Sequence, residues 1–350
     1  MIVRSAKRRA LVWIARIGLP LVILVGGLEG GVRLLGLAPK VYRMRSGIEK
    51  TAYRVSDNPL LGYVLKENYR DADVPDLHES FPSTNADGQR DVERTRARHP
   101  GWHRILLLGD SVVAGHGIFS VDDTISRQLE RELAGRNVEV LNFGVGGYCT
   151  RSEVELLEEK GVKYQPETVV LLFVMNDYYD LNSQVDHYVR RRPALDWLFL
   201  HSDLVRFCSL RFDLFHFREE VDPTERTRRN RDALGGDNVN CGLRRLAELS
   251  RTQRFGTLIA LWPEFLDAAI NDPVNPQTEN SIQVLAPKHG FEPIPLAPYF
   301  RKDYARRCPS GARECDGPKA LYTIGDGMHP SVLGAHVAAQ ALQEILSRRW

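Results

Sequence analysis

From residue 101 onward the sequence predicts an α/β sandwich built on a parallel sheet. Two observations lead there. Short apolar, β-branched runs recur at 104–109, 138–144, 167–174 and 256–262 (RILLLG, VEVLNFG, ETVVLLFV, GTLIALW), as strands buried on both faces require. Between them, DDTISRQLEREL at 122–133 and TRSEVELLEEKG at 150–161 carry apolar residues at helical spacing with polar outer faces. A fifth short strand is expected near FEPIPL at 291–296, and SVLGAHVAAQALQEILS at 331–347 closes the chain as an amphipathic helix. No internal repeat is found.

The elements before residue 101 differ in kind. Residues 1–16 hold Arg4, Lys7, Arg8, Arg9 and Arg16 and no acid, and IGLPLVILVGGLEGGVRLLGL follows, apolar apart from Glu29 and Arg33. Ala10 to Leu28 is 19 residues, close to the roughly 20 that a spanning helix needs, and Glu29 and Arg33 can pair at i, i+4 as they leave the bilayer. The basic flank then places the bulk of the chain outside the cytoplasm. A cleaved signal peptide and a buried amphipathic helix compete with a permanent anchor, but no clean small-x-small site follows Val25, and Pro20 and the glycines suit a membrane helix. The expected division is 1–37 as basic flank and anchor, 38–100 as stalk and lead-in, and 101–350 as the main domain. An insertion at about 181–240 interrupts the last of these. It reads as a helical insertion with a solvated charged loop; the alternative is a lid or substrate wall, with Trp197, Phe199, Phe207 and Phe212 supplying apolar surface.

Composition narrows the function. Hydrophobic residues at 43% and charged residues at 26% are ordinary for a folded chain, and 47 basic against 45 acidic residues leave +2, too balanced for a nucleic-acid surface. Five cysteines form no C-x-x-C pair, so no structural zinc site is expected. Cys308 and Cys315 bracket the polar loop PSGARE and read either as a small disulfide or as two unrelated thiols.

In an open parallel sheet, ligands bind beyond the carboxyl ends of the strands. Those ends deliver Gly109-Asp110-Ser111, then NFGVGGYCT with Gly144, Gly146 and Gly147, then MNDYYD with Asn176 and Asp177; DGMHPS with Asp326 and His329 precedes the last helix. A serine hydroxyl needs a base to take its proton and donors to hold the oxyanion formed on attack. His329 is the candidate base and Asp326 the group that fixes its tautomer. Gly147 and Ser111 offer backbone N–H groups and Asn176 an amide N–H as oxyanion donors. Each residue has a structural reading beside this one. Ser111 can cap a helix, the glycines can form a turn or a phosphate loop, Asn176-Asp177 can be an Asx cap, and His329 can be a lone loop histidine. G-V-G-G lacks G-x-G-x-x-G spacing, and G-x-S-x-G and H-E-x-x-H are absent, which counts against nucleotide binding, an α/β-hydrolase and a metalloprotease.

The conjunction resembles the SGNH/GDSL hydrolase family. Ser111 in GDSVV matches its first block, Gly147 in NFGVGGYCT the second, Asn176 in MNDYYD the third, and Asp326 and His329 in DGMHP the last, from about residue 102 to the end. TNADGQRD at 84–91, behind an N-terminal membrane segment, looks like the lead-in of bacterial membrane-anchored members. One departure is Val174, where the third block usually carries glycine, and it puts the placement of Asn176 in question. The resemblance implies a flavodoxin-like three-layer α/β/α sandwich with a five-stranded parallel sheet. It also implies ester hydrolysis through an acyl-serine intermediate, with no metal or cofactor. The expected protein is thus a serine esterase acting on an acyl or acetyl ester of a glycan or lipid. It is held by one helix in the bacterial inner membrane, with its catalytic domain on the periplasmic or extracellular side. An O-acyltransferase acting on an extracytoplasmic polysaccharide, and a catalytically silent carbohydrate- or lipid-binding module, are the alternatives.

Overall fold

The β-branched runs read from the sequence become the strands of one parallel sheet. The structure, a computed structural model, describes residues 2–41, 52–70, 83–178, 192–221, 237–273, 278–309 and 315–349. Arg190 and Arg191 of the basic run and residues 222–232 of the charged run lie outside the described residues. The chain divides into two compact units, one formed by Met1–Gly47 with Val189–Arg226 and the other by Ile48–Tyr188 with Thr227–Trp350.

The first unit contains a long helix, α1 (Ile2–Leu34), with Pro20 inside it. Its stretch Arg16–Leu34 is long and apolar enough to cross a membrane, with a mean hydropathy of 1.6. The second unit opens with an antiparallel hairpin, β1 (Tyr53–Val55) and β2 (Tyr63–Leu65). Strand β3 (His103–Gly109) then leads through the short α2 (Ser111–Ala114) to α3 (Ile125–Glu132), β4 (Val138–Gly144) and α4 (Thr150–Glu159). β5 (Thr168–Phe173) precedes the segment that returns to the first unit as α5 (Pro193–His201), α6 (Asp203–Arg211) and α7 (Phe217–Val221). The chain re-enters the second unit with α8 (Asn238–Gln253), β6 (Gly256–Leu261) and a small ribbon, β7 (Glu264–Phe265) with β8 (Ile270–Asn271). α9 (Ile282–Lys288), β9 (Pro293–Pro295), α10 (Ala297–Arg307), α11 (Pro318–Tyr322) and α12 (Val332–Ser347) complete it.

The sheet order is β4-β3-β5-β6-β9, all parallel, the flavodoxin-like arrangement expected from the family resemblance. Alternation along each strand divides the core in two. Leu106, Leu108, Val169 and Leu171 pack on one face beneath α4 and α8; Ile105, Leu107, Val170 and Leu172 pack on the other beneath α3 and α12. β9 is an edge strand, where Pro293 and Pro295 are tolerated because one side needs no ladder hydrogen bonds. The helix expected from Asp122 starts instead at Ile125. The Ser120 hydroxyl accepts from Asp122 N and closes a separate short turn over Val121–Asp123, and Thr124 is extended.

From Ile48 the chain before residue 101 is part of the second unit. The Asn85 side-chain oxygen Oδ1 accepts from the backbone N–H groups of Asp87 and Gln89, folding TNADGQRD into a tight turn. Arg90 from this turn is buried and donates to the carbonyls of Ile118 and Phe119. Cys308 and Cys315 are bonded as a disulfide; Cys149, Cys208 and Cys241 are free thiols.

Candidate active site

In a sheet of this order, the loops after β3 and β5 turn to opposite faces and leave a crevice at the carboxyl ends. Ser111 follows β3 and Asn176 follows β5, so both arrive at that crevice by topology alone. The Asp110 carboxylate accepts from Val112 N at 2.9 Å and caps α2, fixing Ser111 at the first helical position. β4 passes so close beneath α2 that a Cβ at Gly144 would sit 2.1 Å from Ala114 N, which only glycine avoids. Gly147, three residues on, has φ +76°, where glycine is unstrained. The lead-in hairpin supports this loop: the Tyr63 hydroxyl donates to Gly146 O at 2.7 Å, and Tyr148 donates to Tyr63 O.

The residues singled out in the sequence meet here. Ser111 Oγ lies 2.8 Å from His329 Nε2, and His329 Nδ1 lies 2.5 Å from Asp326 Oδ2. The other Asp326 oxygen accepts from the backbone N–H groups of Met328 and His329, both at 2.9 Å, so the carboxylate cannot rotate away from the ring. Burial alone would raise the Asp326 pKa. The His329 hydrogen bond and the two backbone donors outweigh it and hold the carboxyl below its ordinary value. A carboxylate on Nδ1 places the proton there and leaves Nε2 as an acceptor for the serine hydroxyl.

Asn176 is held by Asp110, its Nδ2 donating to Asp110 Oδ2 at 2.7 Å, which leaves the second N–H of the amide for another acceptor. The turn that carries it is closed by Asp177, whose carboxylate accepts from Val174 N at 3.1 Å. Val174 is accommodated because its side chain joins the apolar cluster on the α12 face of the sheet. Beside Asp326 opens a cavity of about 360 Å³, lined by Val174, Met175, Trp262, Phe265, Lys319 and Met328. The Trp262 indole donates to Met328 O at 2.8 Å, fixing the wall next to His329.

Sequence reasoning missed two features. His116 ends the turn that carries Ser111 and sets its ring 4.3 Å, centroid to centroid, from that of His329. Burial, then the neighbouring His329 and Arg90, keep His116 below its ordinary pKa against the pull of Asp326. Its place inside GDSVVAGHG was the available signal. Behind Asn176 lie Glu153 and Asp177, both fully buried. Burial first, then the charges of Asp177 and Asp110, push Glu153 well above the carboxylate range; burial and Asp110 do the same to Asp177. Glu153 was legible as an acid on the inward, Val154- and Leu157-bearing side of α4.

Among the described residues no group of histidine, cysteine and acid side chains is arranged to hold a metal ion. Residues 107–337 match the model of the GDSL-like lipase/acylhydrolase family. Comparison with curated proteins gives no match. Among solved structures, an acetyl xylan esterase aligns at 14% identity over 69% of this chain and 99% of its own, with a TM-score of 0.41. The acetylxylan esterase Axe2 from Geobacillus stearothermophilus aligns at 15% over 71% and 95%, also at 0.41. The lipase/acylhydrolase from Enterococcus faecalis aligns at 14% over 71% and 96%, at 0.40.

Proposed function

The chain belongs to the GDSL-like lipase/acylhydrolase family and is a carboxylic ester hydrolase, and from that premise we propose that it works through an acyl-serine intermediate on Ser111. The observation that carries this reading is the 2.8 Å contact from Ser111 Oγ to His329 Nε2, with Asp326 behind the ring. Ser111 Oγ attacks the ester carbonyl carbon while its proton passes to His329 Nε2. The N–H groups of Ser111 and Gly147 and the unengaged N–H of Asn176 hold the oxyanion. As the tetrahedral species collapses, His329 gives the proton to the leaving alcohol oxygen. Water then loses a proton to the same nitrogen, its oxygen bonds the acyl carbon, and Ser111 leaves reprotonated. Asp326 stays ionised and keeps the imidazole in register.

The substrate we propose is an acyl or acetyl ester carried by a glycan or lipid, with one half of the ester placed in the cavity beside Trp262 and Val174. The enzyme is proposed to be a single-pass protein of the bacterial inner membrane, with residues 101–350, apart from the insertion, on the periplasmic or extracellular side. Three features support that placement: the acid-free basic flank of residues 1–16, the apolar Arg16–Leu34 helix, and a Cys308–Cys315 bond suited to an oxidising compartment. The test is turnover of a panel of esters from acetyl to long-chain by detergent-solubilised protein. Ser111→Ala and His329→Ala should each lower kcat by about 10⁴-fold or more with unchanged thermal melting. Retained turnover in either variant would remove the assignment.

A further inference from the structure

Glu29 lies inside the apolar stretch of α1, and its carboxylate is fully occupied by another part of the same unit. One oxygen accepts from Asp203 N at 2.9 Å and Arg33 Nε at 2.6 Å; the other accepts from the Ser202 hydroxyl at 2.7 Å and Leu204 N at 2.9 Å. Arg33 in turn donates to His201 O at 2.9 Å. The α1 carboxylate therefore caps the start of α6, where the first backbone N–H groups have no partner within the helix. A charge within a membrane-spanning stretch persists only where it is paired and hydrogen-bonded, so Ser202–Leu204 share the depth of Glu29.

The elements joined there are apolar on the outside. Phe199 of α5 is buried and stacks on Phe217 at 4.2 Å, while Trp197 and Leu198 on the same helix are 59% and 41% exposed. Trp197 and Leu198 face Leu21, Val22, Val25 and Gly26 of α1 across a groove of about 530 Å³. One end of that groove is apolar; the other is closed by Glu29, Arg33, His201 and Ser202. A hydrocarbon stretch that ends at a polar cluster, the Glu29–Arg33 pair with His201 and Ser202, matches one lipid in a leaflet, chain toward the centre and headgroup at the surface. By helical rise, Leu21 to Arg33 spans about 18 Å, close to one leaflet's depth.

We propose that the α5–α6 insertion is itself a membrane element, seated in the leaflet at the carboxyl-terminal end of α1, and that the Trp197 groove takes the acyl chain of a bilayer lipid. The groove is continuous with the exposed apolar surface of α1. This rests on the anchored reading of α1 above. The test uses the full chain in phospholipid vesicles, with or without bromine on the acyl chains, comparing wild type with Trp197→Phe. The emission lost in the variant reports Trp197, and bromine should at least halve that component. A Trp197 component unaffected by bromine, in protein that floats with the vesicles, overturns the membrane seat and leaves the anchor standing; cross-linking of position 197 between copies would then identify a second chain as the occupant. Protein that does not float overturns anchor and groove together.

Discussion

The Ser111 proton has two acceptors within reach, His329 Nε2 at 2.8 Å and Asp110 Oδ2 at 3.3 Å, and the shorter contact is the one the proposed mechanism uses. Asp110 instead holds Asn176, so the residue beside the proposed nucleophile positions the proposed oxyanion donor. Asn176→Ala removes that donor and should lower kcat by about 10²- to 10³-fold with little change in KM, read from steady-state ester hydrolysis. Glu153 gives a prediction of opposite sign. In the unfolded chain it ionises near 4.5, whereas the folded carboxyl keeps its proton far above that value. Between the two the folded state binds the extra proton, so stability falls as pH rises. Glu153→Gln should abolish this loss, melting higher than wild type at about pH 8 and no higher at about pH 5 in thermal unfolding followed at both pH values. Equal shifts at both pH values would contradict a buried neutral acid at this position.

The elements show what could be read in advance. The long strands were legible because β-branched, two-face-buried runs leave a plain pattern, and the candidate site was legible as far as Ser111, Gly147, Asn176 and His329 could be placed at strand and loop ends. Less legible was the start of α3, since Ser120 and Thr124 redirect a run that looks continuous by periodicity alone. The partnership of Glu29 with Ser202–Leu204 was not legible, because those residues lie more than 170 positions apart and only i, i+4 pairing with Arg33 shows in the sequence. Packing of α2 on β4 is the element on which the nucleophile depends. Gly144→Ala pushes a methyl group into Ala114 N; it should cost about 1–3 kcal/mol in denaturant unfolding and lower kcat more than tenfold by displacing Ser111. Unfolding without loss of rate in the surviving native fraction would place the fault elsewhere.

Across the whole molecule, stabilising features lie apart from the chemistry. The Cys308–Cys315 bond closes a short loop after α10, and replacing both residues by serine should lower stability by about 2 kcal/mol in denaturant titrations while leaving kcat unchanged. Arg104 and Glu139, paired and buried toward the amino ends of β3 and β4, likewise secure the sheet away from its reactive edge. The proposed chemistry depends on one convergence, in which Ser111 from the first sheet strand meets His329 from the segment before the last helix. The most direct measurement is labelling of the intact full-length protein with a fluorophosphonate, followed by peptide mapping by mass spectrometry. A single adduct on Ser111, formed at least about a hundredfold more slowly in His329→Ala, is the expected result. An unlabelled Ser111 in protein that still hydrolyses esters, or an adduct on another residue, would contradict it.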